Sequence, residues 1–277
     1  MSLKRGPEEH TSRIHQIPYI TTLLETFGMA DCNPVSSPCA ADLFDPKEDV
    51  SEPCDKTYFL SLIMSLMYLA RISRPDILFP TTYMATKSAN PTTDDLGHAK
   101  RILRYLKGTI GYVMCFSGKN IDLSVYADAS HGIYADGKGH YGVVFVVGDD
   151  EVVRMSHKMK CVSLSSTESE LVAAVDASTY LRWLVTLFRE LSIQIELPIT
   201  LHQDNQSTIH QLTNGSTFKR SKHMVIKTHF TRGLIEEGLL KLVYTPSEQM
   251  LADAYTKPYN GKQILRYSIR VYCLPVQ

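Results

Sequence analysis

An excess of charge of either sign is the first thing this chain lacks: 29 Lys+Arg stand against 29 Asp+Glu over 277 residues. Global charge therefore argues neither for nor against a nucleic-acid partner, and only local basic patches can decide. The six cysteines (Cys32, Cys39, Cys54, Cys115, Cys161, Cys273) include no C-x-x-C pair and no zinc-like spacing. That pattern excludes a disulfide scaffold and reads as a reduced intracellular chain. No apolar run approaches the roughly 18–20 residues of a membrane span. The charged start, Met1–His10, does not read as a signal peptide. What remains is ordinary globular composition, 44% hydrophobic and 21% charged, with length for one or two cores.

Periodicity divides the chain. Ile17, Ile20, Leu23, Leu24 and Phe27 fall near helical spacing within Ile14–Met29, and Gly28 is the stop. Four X-Pro pairs then punctuate residues 30–54, which read as an extended connector. Helical patterns follow at Tyr58–Ile72, Asp76–Ser88 and Thr93–Lys107, so residues 1–118 read as a mainly helical segment. Beyond the turn Ser117–Asn120 the texture changes to strands at Leu123–Asp128, Gly142–Val147 and Val152–Lys158. A long helix is expected at Ser166–Leu191, a strand at Pro198–Asp204 and helices at Gln206–Leu212 and Ser221–Glu237. Leu239–Tyr244 reads as the last strand and Glu248–Lys257 as the last helix. Hairpins first and crossover helices later predict an α/β domain over 121–260, a mixed sheet with flanking helices, followed by a C-terminal tail at 261–277.

Four acids occupy telling places in that order. Asp128 ends the first strand of the α/β domain, Glu170 lies one turn into its long helix, Asp204 closes a later strand, and Asp253 falls on the last helix. Two hard divalent cations about 4 Å apart need carboxylate oxygens converging from several elements, which such scatter can supply. Glu168 competes with Glu170. Ser165 and Glu168 have capping-box spacing, but Thr167 and Glu170 fit the same template, so local logic leaves the choice open. Lys100, Arg101 and Arg104 share a helix face, and Lys219, Arg220 and Lys222 crowd a helix start. Either group could neutralise phosphates, although a charged helix face is often merely solvated. Asn205 and Gln206, beside Asp204, can donate or accept hydrogen bonds to a bound polynucleotide, and Asn205 equally suits a turn. Trp183, on the long helix, is most simply core.

Several strings raise this to a family likeness. Tyr126-Ala127-Asp128-Ala129-Ser130, Leu164-Ser165-Ser166-Thr167-Glu168-Ser169-Glu170, Gln203-Asp204-Asn205-Gln206 and Leu251-Ala252-Asp253-Ala254-Tyr255-Thr256-Lys257-Pro258 resemble signature stretches of copia-type LTR-retrotransposon ribonuclease H. Ser65-Leu66-Met67-Tyr68-Leu69-Ala70, Arg74-Pro75-Asp76-Ile77 and Ala99–Thr109 resemble the thumb and connection segment that precedes it. The likeness covers about residues 14–260. It implies a ribonuclease H-like five-stranded mixed sheet, with Glu170 as the ligand glutamate. It implies two Mg²⁺ ions, replaceable by Mn²⁺, with Asp128 shared, Glu170 and Asp204 on one ion and Asp253 on the other. The implied activity is hydrolysis of the RNA strand of RNA:DNA hybrids, and the implied partner is an upstream reverse-transcriptase portion. The setting it implies is a cytoplasmic virus-like particle or the nucleus. A catalytically inactive or domesticated remnant that binds nucleic acid or protein is the second reading. Departures exist: His131 stands where the family often has an aromatic, and Tyr244-Thr245-Pro246-Ser247 lacks a loop histidine found in many ribonucleases H. The Tyr-x-Asp-Asp strand of a polymerase is absent, so polymerisation is not expected of this chain alone.

Overall fold

The computed structural model describes residues 1–5, 11–40, 43–44, 51–118, 120–214 and 222–273, without the side chains of 222–224, 227, 269 and 273. The chain forms two compact units, Met1–Gly118 with Lys257–Gln277, and Lys119–Thr256.

The first unit carries the expected helices α1 (Ile17–Thr26), α2 (Lys56–Ile72), α3 (Leu78–Ala85) and α4 (Thr93–Gly108). Asp55 caps α2 through the N–H groups of Thr57 and Tyr58, and Thr92 with Asp95 forms a full capping box on α4. Their apolar faces meet in residues such as Phe59, Leu62, Leu66, Ile102 and Leu103, all with 0% exposure. The unit is less purely helical than its sequence suggests. Strands β1 (Ser2–Arg5), β2 (Ser12–His15), β3 (Val113–Phe116) and β9 (Tyr272–Cys273) form a four-stranded antiparallel sheet in that order.

Within the expected tail, residues 261–273 are ordered into two elements. They form α8 (Gly261–Val271), capped by Asn260 with Gln263, and return to this unit as β9. A buried polar cluster explains the return. Arg74 grips Asp76 with two hydrogen bonds, Nε to Oδ1 at 3.0 Å and Nη2 to Oδ2 at 2.7 Å, and donates to the Thr109 carbonyl at 3.1 Å. Tyr105 and Tyr272 then donate their hydroxyls to the two Asp76 oxygens at 2.7 and 2.6 Å. Burying an ion pair is costly unless its remaining valences are filled, and Tyr272 of β9 fills one. Cys115 is disulfide-bonded, so the chain is not wholly reduced; Cys32, Cys39, Cys54 and Cys161 are free.

The second unit bears out the expected fold class. Strands β4 (Leu123–Ser130), β5 (His140–Val147), β6 (Asp150–Lys158), β7 (Ile199–Gln203) and β8 (Leu240–Tyr244) make one sheet in the order β6-β5-β4-β7-β8. The first three are antiparallel, and β7 and β8 run parallel to β4, which is the mixed ribonuclease H-like arrangement. Helices α5 (Ser166–Glu190), α6 (Gln206–Asn214) and α7 (Lys222–Glu236) connect the later strands.

Alternate residues of β4 and β7, Val125, Ala127, Ile199 and Leu201, meet Leu171, Ala174, Ala177 and Leu181 of α5 in the core. Each large aliphatic buried there is worth about 1.5–3 kcal/mol. By length and composition α5 could cross a membrane, but it is a core helix with its apolar stripe on the sheet. Trp183 is not core. It lies on the outer face of α5, 52% exposed, edge-on to Tyr180.

The expected helix Glu248–Lys257 is instead two tight turns, Ser247–Gln249 and Leu251–Tyr255. The second turn packs on β5 because Gly142 leaves room. A Cβ at Gly142 would meet Tyr255 Cβ at 2.7 Å and the Ala252 carbonyl at 2.9 Å. Ser130 and Ser156 tie the turn down by donating to the carbonyls of Thr256 (3.0 Å) and Tyr255 (2.8 Å).

Candidate metal centre

Parallel pairing of β4 with β7 is what brings the first two acids together. Tyr126 pairs with His202, so two residues further along Asp128 comes level with Asp204, at the carboxyl ends of both strands. Ligands in open α/β sheets gather at such ends. Glu170 reaches the same point from the start of α5. Oxygens of Asp128, Glu170 and Asp204 all lie within 4.8 Å of one another.

The two glutamates have different partners. Glu168 works at the helix start: its Oε2 accepts from the Leu164 N–H at 2.7 Å, while its own N–H donates to Ser165 Oγ at 3.1 Å. Glu170 turns inward and is only 6% exposed. Its Oε1 accepts from the Ala129 N–H at 3.2 Å, and its buried Oε2 has no hydrogen-bond partner.

The surrounding side chains hold the other two acids. Asp128, 1% exposed, accepts a short hydrogen bond from the Thr256 hydroxyl at Oδ2. Asp204 accepts from Ser247 Oγ at 2.8 Å, and its N–H donates to Gln203 Oε1 at 2.8 Å. Thr256 and Ser247 received no role from the sequence. Their only signal was position, one in the Asp253 string and the other in the loop before it.

Electrostatics makes the arrangement costly as it stands. Burial, then Asp128, then Asp204 push the Glu170 carboxyl up to about 9, against the smaller opposing effects of the Ala129 N–H and the Gln203 amide. An uncharged glutamic acid beside two aspartates relieves part of the repulsion. A hard divalent cation would relieve the rest, and an all-oxygen donor set containing one unpartnered buried carboxylate oxygen fits such an ion.

Asp253 is not in this trio. Its turn is nonetheless adjacent: the Asp253 carbonyl lies 3.3 Å from Thr256 Oγ1, whose hydroxyl donates to Asp128. Of the expected nucleic-acid contacts, Asn205 caps α6 by accepting from the Thr208 N–H at 3.0 Å, and Gln206 is exposed on its first turn. Lys100, Arg101 and Arg104 are half-buried on α4 of the first unit, where Arg104 donates to the Asn33 carbonyl at 2.7 Å. That helix face is therefore only partly solvated. Lys219 and Arg220 lie outside the described residues, as does the side chain of Lys222, which opens α7.

No family model matches the chain. Among curated proteins it is similar to the retrovirus-related Pol polyprotein from transposon RE1 of Arabidopsis thaliana, 30% identical over 266 residues. It is also similar to the retrovirus-related Pol polyprotein from transposon TNT 1-94 of Nicotiana tabacum, 32% identical over 259 residues. These matches cover 93% and 90% of this chain but 18% and 19% of the relatives, so the chain spans under a fifth of their length. Among solved structures, ribonuclease H1 from the archaeon Halobacterium salinarum NRC-1 overlaps 48% of this chain and 93% of its own. That pair has 19% identity and a TM-score of 0.37.

Proposed function

We propose that this chain, which belongs to the family of copia-type retrovirus-related Pol polyproteins, is a metal-dependent nuclease module that hydrolyses the RNA strand of RNA:DNA hybrids. One observation carries the reading: three carboxylates from three elements converge within 4.8 Å at the strand ends of a ribonuclease H-like sheet.

Asp128, Glu170 and Asp204 would hold divalent cations, Mg²⁺ or in its place Mn²⁺, with Asp253 on the adjoining turn as a further carboxylate for a second ion. When bound, such ions supply an acidified water and neutralise the phosphate and the leaving oxygen. The protein's own contribution is orientation. Thr256 fixes the Asp128 carboxylate, Ser247 fixes that of Asp204, and the Ala129 N–H holds one Glu170 oxygen while the other stays unpartnered. Glu170 must give up its proton for the set to take a cation, so loading is favoured as pH rises toward 9. Asn205, Gln206, Lys219, Arg220 and Lys222 are the side chains in this unit that would meet the duplex, and the upstream polymerase portion of the family is the expected covalent partner.

The test is cleavage of a labelled RNA:DNA hybrid with and without Mg²⁺, using the same sequence as DNA duplex for control. Mg²⁺-dependent loss of the RNA strand, abolished by Asp128→Asn in a folded variant, is expected. A wild-type chain that leaves the hybrid intact in Mg²⁺ and Mn²⁺ would leave the second reading, a binding module without catalysis.

A further inference from the structure

Close in sequence to the carboxylate cluster stands an exposed histidine whose ring is held by two buried hydroxyls. His131 follows the last residue of β4, three positions beyond Asp128, and its side chain faces solvent. Its Nδ1 lies 3.1 Å from Ser169 Oγ and 3.3 Å from Ser163 Oγ, and those two hydroxyls are 2.5 Å apart. Both serines are buried, Ser169 at 0% and Ser163 at 5% exposure, and Ser169 directly precedes Glu170 on α5. A histidine on a loop is most often free to rotate in water. This one is fixed to the same helix turn that carries a pocket acid.

The serine pair can donate a hydrogen bond to Nδ1. The serine pair has two hydroxyl hydrogens, and one lies in the 2.5 Å contact between them. The other has three possible acceptors: His131 Nδ1 at 3.1–3.3 Å, the Ser165 carbonyl at 3.4 Å, or Met159 sulfur at 3.9 Å. The ring nitrogen is the nearest of the three. With Nδ1 accepting, the neutral ring carries its hydrogen on Nε2, on the side away from the serines.

We infer that His131 is a nucleic-acid contact residue, presenting a fixed Nε2–H donor to a backbone oxygen of the duplex strand that enters the carboxylate pocket. The inference rests on the function proposed above, since it requires a polynucleotide at that pocket. His131 lies three positions beyond Asp128 and is bonded to Ser169, the neighbour of Glu170, so a strand brought to those acids by a cation would run beside it. Such a strand offers only acceptors on its phosphates, and acceptor-capable 2′-hydroxyls if it is RNA. An N–H whose direction is set before binding loses less freedom on forming that bond than a loose lysine would.

The experiment measures equilibrium binding of the full chain to a short fluorescent RNA:DNA hybrid, and to the same sequence as DNA duplex, in divalent-free buffer at fixed salt. His131→Ala should weaken hybrid binding about tenfold, the scale of one hydrogen bond to a charged group. His131→Gln, whose amide can place an N–H near the Nε2 position, should recover most of that loss. A loss equal on both duplexes identifies a phosphate as the acceptor, and a loss confined to the hybrid identifies a 2′-hydroxyl. Wild-type affinity in His131→Ala overturns the inference. So does a Gln variant as weak as the Ala variant, or a clear fall in melting temperature that marks the histidine as structural. The two readings separate cleanly. A wild-type chain that cleaves hybrid while His131→Ala binds normally defeats only this inference. Loss of hybrid affinity in His131→Ala of a chain that never cleaves defeats only the nuclease assignment.

Discussion

Replacing Asp128 by Asn should make the metal-free protein more stable and the Mg²⁺-loaded protein less so, a reversal that a purely structural aspartate would not show. Taken at the 4.8 Å limit on their ligand-atom separation, two unit charges repel by about 0.9 kcal/mol in water and about 3.5 kcal/mol at an effective dielectric constant of 20. Glu170, held up to about 9, is uncharged at neutral pH, so the cost there rests mainly on Asp128 with Asp204. Asp128 is buried and Asp204 half-exposed, which places the repulsion between those limits. Against the gain, the Thr256 hydroxyl loses a charged acceptor, a change of roughly 1 kcal/mol. The net expectation without divalent ions is a gain of about 1–2 kcal/mol. In Mg²⁺ the wild type should rise by RT ln(1 + [L]/Kd), about 1.4 kcal/mol at ten times Kd, and the variant should not. Thermal unfolding of both proteins in EDTA and in a Mg²⁺ series reads this directly. An Asp128→Asn chain that is less stable than wild type in EDTA, yet shows the same Mg²⁺ shift, would refute the reasoning.

Gly142→Ala should displace the Leu251–Tyr255 turn, since a Cβ would stand 2.9 Å from the Ala252 carbonyl. A stability loss of about 1–3 kcal/mol by denaturant melting, with cleavage of the hybrid reduced, is expected. His140 is buried between the Tyr134 hydroxyl and Ser156 Oγ, each 2.7 Å away, and burial holds it down to about 3 from 6.5. The unfolded chain therefore binds the extra proton first. Stability should fall as pH drops from 6.5 toward 3, by at most about 1.4 kcal/mol per pH unit from this group, and His140→Gln should flatten that part of the pH–stability curve. Tyr272→Phe removes one of the hydroxyls on buried Asp76. It should destabilise the first unit by about 1.5–3 kcal/mol in chemical denaturation.

What the sequence revealed divides along physical lines. In the second unit β7 and α5 were legible because each buries one patterned face, and β5 because it is an apolar run buried on both faces. Asp128, Glu170 and Asp204 were legible because a strand end and a helix start are local features. The strands β1, β2, β3 and β9 were not. They are at most four residues long, and β1 and β2 bury no residue fully, so they leave almost no alternation to read. Nor was the return of β9, which depends on Tyr272 meeting Asp76 across 196 positions. The stretch after Tyr244 misled because its Leu, Ala and Met favour a helix by propensity. Contact with β5 through the gap at Gly142, and the tethers from Ser130 and Ser156, select tight turns instead. Trp183 misled for the opposite reason: aromatic character suggested burial, while its position on α5 points away from the sheet.

Calorimetric titration of the full chain with Mg²⁺ at pH 7.5, repeated in buffers of different ionisation enthalpy, tests the central claim most directly. If Asp128, Glu170 and Asp204 form one cation site, binding must expel the proton that burial and its neighbours keep on Glu170. The account predicts release of close to one proton for the first ion bound, and none in Glu170→Gln. Saturable Mg²⁺ binding without proton release, or the same release in the Gln variant, would contradict it.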